Sequence, residues 1–384
     1  MSALHDITAR IIQDSRGQDT VECTVTLASG TTATASVPSG KSTGSHEVVP
    51  VPASVSVQKI MQAVAPLLVG RDVADQKAID ELLIGAAGEQ KQLLGGNTTL
   101  AASVAVARAH ALETDTPLWK YLRVISGVSV FPSPFPRPFV NLINGGAHTG
   151  NTNIFQEYIL VPQNATMKDS LAHADEVRKK LGDIVKQKYP DVTLGDEGGF
   201  ALKTDDPIEP FTLLREAAGE GAAFALDAAA TESTYDDEAR TEIFKTMIAQ
   251  FPLAYIEDPF GEEHFGLFAR FQNSAPGVVC VGDDLTTTNT ARMEKAFAEK
   301  SITGVILKPN QIGTVSEALA AAAKAREYGW RIIASHRSGE TEDAFIADFA
   351  YGVGADGIKI GTSVQKERWA KYDRLGAIAL ESNT

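Results

Sequence analysis

The sequence predicts an α/β fold in which a small N-terminal α+β region is followed by an irregular (β/α)8 barrel. The chain has 384 residues, enough for two domains or for one large barrel with an added part. From residue 137 onward, short apolar segments alternate with helical ones, which is typical of a barrel of about 250 residues. Residues 131–138 contain four prolines and predict a linker, because proline interrupts both helices and strand ladders. We therefore expect an N-terminal domain at residues 1–128 and a barrel domain at residues 137–384.

The N-terminal region has the alternating pattern of antiparallel strands. Polar and apolar residues alternate within residues 7–37, with a turn at Ser29 and Gly30. A loop follows at residues 38–44, with two glycines and three hydroxyl side chains. It is either a plain surface turn or a lid that brings a hydroxyl to a phosphate or metal, and its glycine spacing does not match a P-loop. Helical patterns come next, at residues 55–68, 75–83 and 99–112.

The second region repeats strand and helix patterns. The predicted strands are residues 139–143, 157–161, 223–227, 254–257, 278–283, 305–308, 331–336 and 357–360. The predicted helices are residues 167–188, 242–250, 263–271, 290–300, 315–328 and 340–351, with a final helix from Val364. The connection between the first two strands is too short for a crossover helix, so we expect them to pair antiparallel and the barrel to begin irregularly.

The composition argues against several classes of partner. The formal net charge is -14, so neither nucleic acid nor an anionic membrane surface is expected as the main partner. No run of about 18 apolar residues predicts a membrane span, and the first 13 residues do not resemble a signal peptide. The two cysteines, Cys23 and Cys280, fit a reducing compartment. We expect a cytoplasmic protein that binds a small molecule, which can be anionic where metal ions invert the local field.

Six consecutive barrel strands end in a polar residue. These residues are Asp227, Glu257, Asp283, Lys308, His336 and Lys359. Their separations are 30, 26, 25, 28 and 23 residues, each close to one strand plus one helix. Barrel active sites form where the carboxyl ends of several strands meet. A single such charge is usually part of a salt bridge or a solvated rim, whereas six in register predict an active site.

Lys308 ends an apolar strand and is followed by Pro309. Its side chain could extend to solvent, as expected for an isolated strand-end lysine. It could instead remain in the site and lose its proton to act as a base. The other polar strand ends favour the base. Lys359 lies further around the ring, and neighbouring cations lower each other's pKa, which would favour a neutral lysine.

The remaining polar residues suggest a metal site and an anion site. Asp227, Glu257 and Asp283 would repel one another without a cation, and oxygen ligands on a rigid frame fit Mg²⁺. Residues 336–338 offer an imidazole, a guanidinium and a hydroxyl, a set suited to phosphate or carboxylate.

Two acidic segments add a candidate acid. Glu197 lies in a glycine-rich turn, and Gln156 and Glu157 follow a loop that contains His148. Taken singly, Glu197 and His148 fit a local hydrogen-bonding role as well as a role in the site. A base, an acid and a metal together can remove a proton next to a carboxylate.

With these segments in place, the chain resembles the enolase family over nearly its whole length. The matching segments are residues 14–17, 37–44, 144–148, 156–157, 195–200, 256–259, 282–285, 307–314 and 335–343. The last of these, from Ser335 to Asp343, is long and highly specific. The order and spacing of the segments agree throughout.

The resemblance implies a fold, a reaction and a role for each matching residue. The implied fold is an N-terminal α+β capping domain and a barrel of the order ββαα(βα)6. The implied reaction is the reversible dehydration of 2-phosphoglycerate to phosphoenolpyruvate, with two Mg²⁺ ions per site. The implied catalytic residues are the base Lys308, the acid Glu197, Glu157 in its support, and His148. The implied metal ligands are Asp227, Glu257 and Asp283 for the first ion and Ser42 for the second. The implied substrate-binding residues are Ser42, His148, Gln156, Glu157, Lys308, His336, Arg337 and Ser338 (the last two for phosphate), and Lys359 for carboxylate.

The resemblance also implies a homodimer or a higher oligomer. Arg10 and Glu367 match one pair that joins subunits in the family, whereas Arg16 lacks its expected partner. The sequence departs from the family in three places. The segment after Glu47 and the loop after Asp227 are short, and residues 364–368 differ from an arginine-serine-glutamate-arginine pattern.

Two alternatives stand beside an enolase. The first is a diverged dehydratase of the same superfamily that acts on another acid. Ser42, Arg337 and Ser338 argue against it, because they favour a phosphorylated substrate. The second is a catalytically silent paralog that serves as a binding protein. The complete polar ring weighs against the silent paralog, because binding alone does not need it.

Overall fold

The computed structural model describes residues 2–41, 44–129 and 132–382. Its N-terminal part is a three-stranded antiparallel sheet in the order β1-β2-β3, with α4 packed against β2 and β3. Its elements are β1 (Leu4–Gln13), β2 (Asp19–Leu27), β3 (Thr32–Ser36), α1 (Ala53–Lys59), a π-helical turn (Ile60–Val64), α2 (Ala65–Leu68), α3 (Gln76–Ala87), a 3-10 turn (Glu89–Lys91), α4 (Gly96–Glu113) and α5 (Leu118–Ile125). The alternation in β2 buries Val21, Cys23, Val25 and Leu27, because successive side chains of a strand point to opposite faces.

The second part begins with β4 and alternates strands with helices. Its elements are β4 (Arg137–Asn144), α6 (Gly146–Thr149), β5 (Glu157–Val161), α7 (Met167–Lys188), β6 (Thr193–Leu194), β7 (Phe200–Ala201), α8 (Glu209–Ala218), β8 (Ala223–Asp227), a 3-10 turn (Ala230–Glu232), α9 (Asp237–Gln250), β9 (Leu253–Glu257), α10 (Phe265–Ser274), β10 (Val279–Gly282), α11 (Thr290–Ala298), β11 (Gly304–Leu307), α12 (Pro309–Ile312), α13 (Val315–Glu327), β12 (Arg331–Ser335), α14 (Phe345–Gly352), β13 (Gly357–Ile360) and α15 (Lys366–Glu381).

Within the described residues, eight strands close a barrel in the order β4-β5-β8-β9-β10-β11-β12-β13, and β13 pairs back to β4. Strand β5 runs antiparallel to both of its neighbours, and the other barrel pairs are parallel. The hairpin β6–β7 joins β4 near its carboxyl end. The predicted α/β fold is therefore confirmed, including the antiparallel start of the barrel.

The inversion of β5 explains how Glu157 reaches the end of the barrel at which the parallel strands terminate. Glu157 is the first residue of β5, whereas Asp227 is the last residue of β8. The two residues are register partners, and Asp227 is in turn the partner of Glu257 at the end of β9. Three carboxylates on adjacent strands therefore occupy one layer of the barrel.

One predicted helix begins later than expected, and several elements were not predicted. The helix predicted from Glu340 begins at Phe345, so its first turn was predicted wrongly. The preceding residues form a hydrogen-bonded turn, in which Glu340 accepts from the backbone N–H of Arg337 at 3.0 Å and Asp343 accepts from that of Phe345 at 2.8 Å. Helix α8 and the hairpin β6–β7 lie in a segment for which no elements were predicted.

Apolar side chains fill the barrel beneath the polar layer. They are Phe139, Ile159, Val161, Ala225, Tyr255, Val281, Ile306 and Ile333. The rings of Phe139 and Tyr255 stack with their centroids 5.0 Å apart. This packed interior makes the site a pocket at one end of the barrel rather than a channel through it.

The N-terminal part contacts the barrel beside the carboxyl ends of the strands. The Arg108 guanidinium donates to both oxygens of Asp343 at 2.6 and 2.5 Å. The backbones of Ser39 and Gly339 exchange hydrogen bonds of 2.8 and 2.9 Å, so Ser39 lies against the end of the barrel at which the strands terminate. Among the helices of the described residues, none is long and apolar enough to cross a membrane.

Candidate active site

A polar pocket opens at the carboxyl ends of the barrel strands. Its lining comprises Gly40, Lys41, Glu47, His148, Gln156, Glu157, Glu197, Asp227, Ala229, Asp258, Asp283, Asp284, Lys308, Ser335, His336, Arg337, Ser338 and Lys359. The predicted site residues that the structure describes are all in this lining, except Glu257, which contacts Lys359 directly. Ser42, the predicted ligand of a second metal ion, lies outside the described residues.

Lys359 lies among the carboxylates of the polar layer. Its Nζ is 2.8 Å from Oδ2 of Asp227, 2.8 Å from both oxygens of Glu257 and 3.2 Å from Oε2 of Glu157. Burial alone would lower the pKa of Lys359, but these carboxylates outweigh burial and raise it well above its ordinary value. Burial, followed by the charge of Asp227, raises the pKa of Glu257 well above its usual range. One ammonium group therefore does not fully compensate the negative charge of this layer.

Lys308 lies between β11 and the single turn α12. Its Nζ donates to Oδ2 of Asp283, and its side chain is 13% exposed, so it remains in the site instead of extending to solvent. Burial lowers the pKa of Lys308, but the charge of Asp283 outweighs burial and the nearby cations Arg337 and Lys359, leaving the pKa above its ordinary value. Arg337 and Lys359 do lower this pKa, as expected. The expectation that they favour a neutral lysine is nevertheless wrong for this arrangement, because Asp283 is in direct contact with the ammonium.

The candidate acid lies on the opposite side of the pocket. One ring nitrogen of His148, one carboxylate oxygen of Glu157 and one of Glu197 all lie within 4.8 Å of one another. Asn141 donates to Oε2 of Glu197 at 2.9 Å, and Nε2 of His336 is 3.3 Å from the same oxygen.

The two carboxyl groups of this buried cluster differ in how readily they hold a proton. Burial, followed by the charge of Glu197, raises the pKa of Glu157 well above its usual range. Burial lowers the pKa of His336 to about 4, so its imidazole is neutral at pH 7. Burial alone would raise the pKa of Glu197, but its interactions with His336 outweigh burial and lower that pKa well below its usual range. Two close carboxylates titrate as a pair, so a proton shared by Glu157 and Glu197 resides on Glu157.

Arg337 is oriented by a residue of the N-terminal region. Its guanidinium forms a two-point pair with Glu47, at 2.8 Å and 3.0 Å, and also donates to Oδ1 of Asn310 at 3.0 Å. The side chains of Arg337 and Glu47 are 4% and 6% exposed. Glu47 was not among the predicted site residues, although its position shortly after the loop at residues 38–44 was a possible signal.

Lys41, in the loop before Glu47, contacts both the candidate anion site and the residue that precedes the candidate acid. The backbone N–H of Lys41 donates to the hydroxyl of Ser338 at 2.7 Å. The ammonium of Lys41 is 3.0 Å from Oδ2 of Asp196, the neighbour of Glu197. The N-terminal region thus closes one side of the pocket.

A further acidic cluster lies beside Asp283. Carboxylate oxygens of Asp258, Asp283 and Asp284 lie within 4.8 Å of one another. Asp258 has a positive φ of 41° and accepts from the backbone N–H groups of Asp283 and Asp284 at 3.0 and 2.7 Å. Burial and the charge of Asp283 raise the pKa of Asp284 to about 7. Asp258 and Asp284 each directly follow a predicted metal ligand in the sequence, but no role had been predicted for either of them.

Comparison with known proteins assigns this arrangement to a family. Residues 4–122 match the family model "Enolase, N-terminal domain", and residues 132–382 match "Enolase, C-terminal TIM barrel domain". The chain belongs to the enolase family. It is 37% identical to the enolase of Methanopyrus kandleri over 98% of this chain and 95% of that protein. It is 38% identical to the enolase of Methanococcus maripaludis, over 97% and 94% of the two chains, and 35% identical to that of Solanum lycopersicum, over 98% and 94%.

Membership of the enolase family confirms the resemblance found in the sequence and makes the chain an enzyme of the lyase class. Two groups of side chains in its pocket could hold a divalent metal, namely His148 with Glu157 and Glu197, and Asp258 with Asp283 and Asp284. Of the described predicted metal ligands, Asp283 belongs to one of these groups, and Asp227 and Glu257 belong to neither. The structure adds Glu47, Asp258 and Asp284 to the residues expected there.

Proposed function

We propose that this chain catalyses the reversible, Mg²⁺-dependent dehydration of 2-phosphoglycerate to phosphoenolpyruvate and water. One observation carries the proposal. A lysine, a pair of carboxyl groups that can share a proton, and a layer of carboxylates whose oxygens suit a metal ion converge in one buried pocket. Lys308, Glu197 and Asp227 represent the three groups. The comparisons with enolases support the same reaction.

The proposed base is Lys308 and the proposed acid is Glu197. Neutral Nζ of Lys308 removes the proton from C2, and the electron pair of that C–H bond forms the C2–C3 double bond. Glu197 passes a proton, received from Glu157 within the pair, to the 3-hydroxyl group, which leaves as water. Glu157 and His148 assist by keeping a proton within the acid group. Because contact with Asp283 raises the pKa of Lys308, the ammonium has to separate from Asp283 before it can act as a base.

The acidic layer suits a divalent cation. Its donors are carboxylate oxygens, which Mg²⁺ prefers, and its three carboxyl groups outnumber the single ammonium of Lys359. Asp227, Glu257 and Asp283 would hold the first ion, and Ser42 would contribute to a second. When bound, such a cation supplies positive charge that stabilises the substrate carboxylate as negative charge develops on it.

The remaining predicted residues would hold and orient the substrate. Arg337 and Ser338 would contact the phosphate, since guanidinium and hydroxyl groups both donate to phosphate oxygens. Lys359 would contact the substrate carboxylate. His148, Gln156, Glu157 and His336 would complete the wall around the departing hydroxyl.

The direct test is the absorbance of phosphoenolpyruvate formed from 2-phosphoglycerate with millimolar Mg²⁺. We expect turnover that stops when the metal is chelated and returns when it is restored. No turnover with 2-phosphoglycerate would contradict the proposal. Turnover of only an unphosphorylated acid would indicate a diverged dehydratase, and binding of 2-phosphoglycerate without turnover would indicate a silent paralog.

We further propose a division into domains at residues 1–128 and 137–384, a homodimer or higher oligomer, and a cytoplasmic location. The proline-rich segment between the two parts supports the division. The free, buried thiols of Cys23 and Cys280 are compatible with a reducing compartment. Arg10, which matches a family subunit contact, pairs with Glu22 of its own chain at 2.5 Å. Sedimentation of the purified protein would measure the oligomeric state.

A further inference from the structure

Two successive threonines near the pocket have an unusual backbone conformation. Thr287 and Thr288 have φ angles of 47° and 56°, a region that β-branched residues rarely adopt. Both residues are fully buried, in the loop between β10 and α11. Such conformations persist only where the surrounding structure imposes them, and they are concentrated at functional sites.

This conformation brings the hydroxyl of Thr288 against the backbone of the proposed base. Oγ1 of Thr288 accepts from the backbone N–H of Lys308 at 2.9 Å. The same hydroxyl donates to Oε1 of Gln311 at 2.7 Å. The hydroxyl also lies 3.3 Å from the backbone oxygen of Lys308, but it has one proton to donate, and the shorter bond to Gln311 defines its orientation.

Gln311 carries the connection to Asp283. Its carboxamide oxygen faces the hydroxyl of Thr288, so its amide group is directed to the other side. There Nε2 donates to Oδ1 of Asp283 at 2.9 Å. An ionised carboxylate can only accept, so these two bonds agree on one orientation of the amide. Gln311 has no exposed surface, and water therefore does not compete for these bonds.

Thr288 and Gln311 together form a hydrogen-bonded relay from the backbone of Lys308 to Asp283. This relay gives the two oxygens of Asp283 different partners. Oδ1 receives the amide of Gln311, whereas Oδ2 receives the ammonium of Lys308. We infer that Thr288 and Gln311 are positioning residues, which fix the plane of the Asp283 carboxylate relative to Nζ of Lys308. Thr288 holds the main chain of the lysine, and Gln311 holds the carboxylate that the lysine side chain meets.

This role rests on the proposed function, because it assigns the relay to the proposed base and a proposed metal ligand. The competing explanation is that the relay only satisfies buried polar groups. In that case, removing a hydroxyl would lower stability and leave the chemistry of the folded enzyme unchanged. A positional role instead predicts a loss of kcat in enzyme that remains folded, since small displacements of catalytic groups can cost large factors in rate.

The test compares Thr288→Val, Gln311→Met and the conservative Thr288→Ser with the full-length parent. Thr286→Val is the matched control, because Thr286 is a buried threonine of the same loop whose hydroxyl, among the residues that the structure describes, donates to the backbone oxygens of Gly282 and Asp283. The measurements are kcat and KM with 2-phosphoglycerate, thermal unfolding, and calorimetric binding of Mn²⁺ to the substrate-free protein.

We expect Thr288→Val and Gln311→Met to lower kcat at least about tenfold, with KM within about threefold of the parent. We also expect both to bind Mn²⁺ more weakly, while Thr288→Ser and Thr286→Val stay close to the parent in both respects. Unchanged kcat and Mn²⁺ affinity in either folded relay variant would overturn the inference, as would a Thr288→Ser enzyme as impaired as Thr288→Val. If the parent itself does not turn over 2-phosphoglycerate, the proposed function fails, and Mn²⁺ binding by the variants still decides whether the relay orients Asp283.

Discussion

The guanidinium of Arg337 and the carboxylate of Glu47 form a buried two-point ion pair across 290 positions of the sequence. Glu47 belongs to the N-terminal region, and Arg337 follows β12 of the barrel. The pair therefore connects a residue of the proposed phosphate site to the N-terminal region, which lines one side of the pocket.

Removal of the Glu47 carboxylate should destabilise the protein. Glu47→Ala leaves the buried guanidinium of Arg337 without its main counter-charge, and breaking a buried ion pair in this way costs about 3–5 kcal/mol. Denaturant unfolding would measure the loss. The control is Glu263→Ala, whose carboxylate is 55% exposed although it also contacts an arginine, and it should change stability by about 0.5 kcal/mol or less. Equal stability of Glu47→Ala and the parent would contradict this expectation.

Replacement of Lys308 should separate proton removal from binding. A positioned general base contributes about 10²–10⁴-fold to a rate, so Lys308→Ala should lower the exchange of the C2 proton of 2-phosphoglycerate at least about a hundredfold. Substrate should still bind through Arg337 and Ser338. Exchange followed by NMR and binding followed by calorimetry would give the two quantities, and retained exchange would remove Lys308 as the base.

Divalent metal should stabilise the folded protein through the acidic layer. A ligand that binds only the folded state at about a hundred times its Kd adds about 2.7 kcal/mol. Chelation should therefore lower Tm, and Mg²⁺ should restore it. In Asp227→Asn this metal-dependent shift should shrink or vanish, whereas Glu294→Gln, whose carboxylate is 57% exposed on another part of the surface, should keep it. An undiminished shift in Asp227→Asn would show that the metal binds elsewhere.

The contact between Arg108 and Asp343 should make stability depend on pH. Burial alone would raise the pKa of Asp343, but the charge of Arg108 outweighs it and lowers the pKa below the ordinary value. An acid with a lowered folded pKa contributes stability that is present above its unfolded pKa, about 3.9, and is lost as pH falls through the folded value.

Asp343→Asn should therefore be less stable than the parent at pH 7, and the difference should shrink as pH falls below about 4. Unfolding at several pH values would measure it. Glu342→Gln is a suitable control, because its carboxylate is 62% exposed and pairs with a lysine that is 74% exposed. A deficit of Asp343→Asn that stays constant from pH 7 to pH 3 would contradict the assignment.

The sequence predicted the polar ring because strand ends follow from short-range patterns. Asp227 and Lys308, for example, were found from the alternation of strands and helices alone. Thr288 and Gln311 could not be found in this way, since their role depends on positive φ angles and on an amide orientation that residue type does not specify. The raised pKa of Lys308 was also not predictable, because it depends on which carboxylate the ammonium contacts.

The inverted strand β5 has a consequence for how the chain tolerates changes in length. For the parallel barrel strands, the connection that precedes each strand lies at the end remote from the pocket, where added residues do not disturb the chemistry. For β5 this is reversed. The connection at residues 145–156 leads into the pocket at Glu157, whereas the chain that follows Val161 is remote from it. An insertion before β5 would displace a proton-holding carboxylate, while an insertion of the same size after β5 would be tolerated.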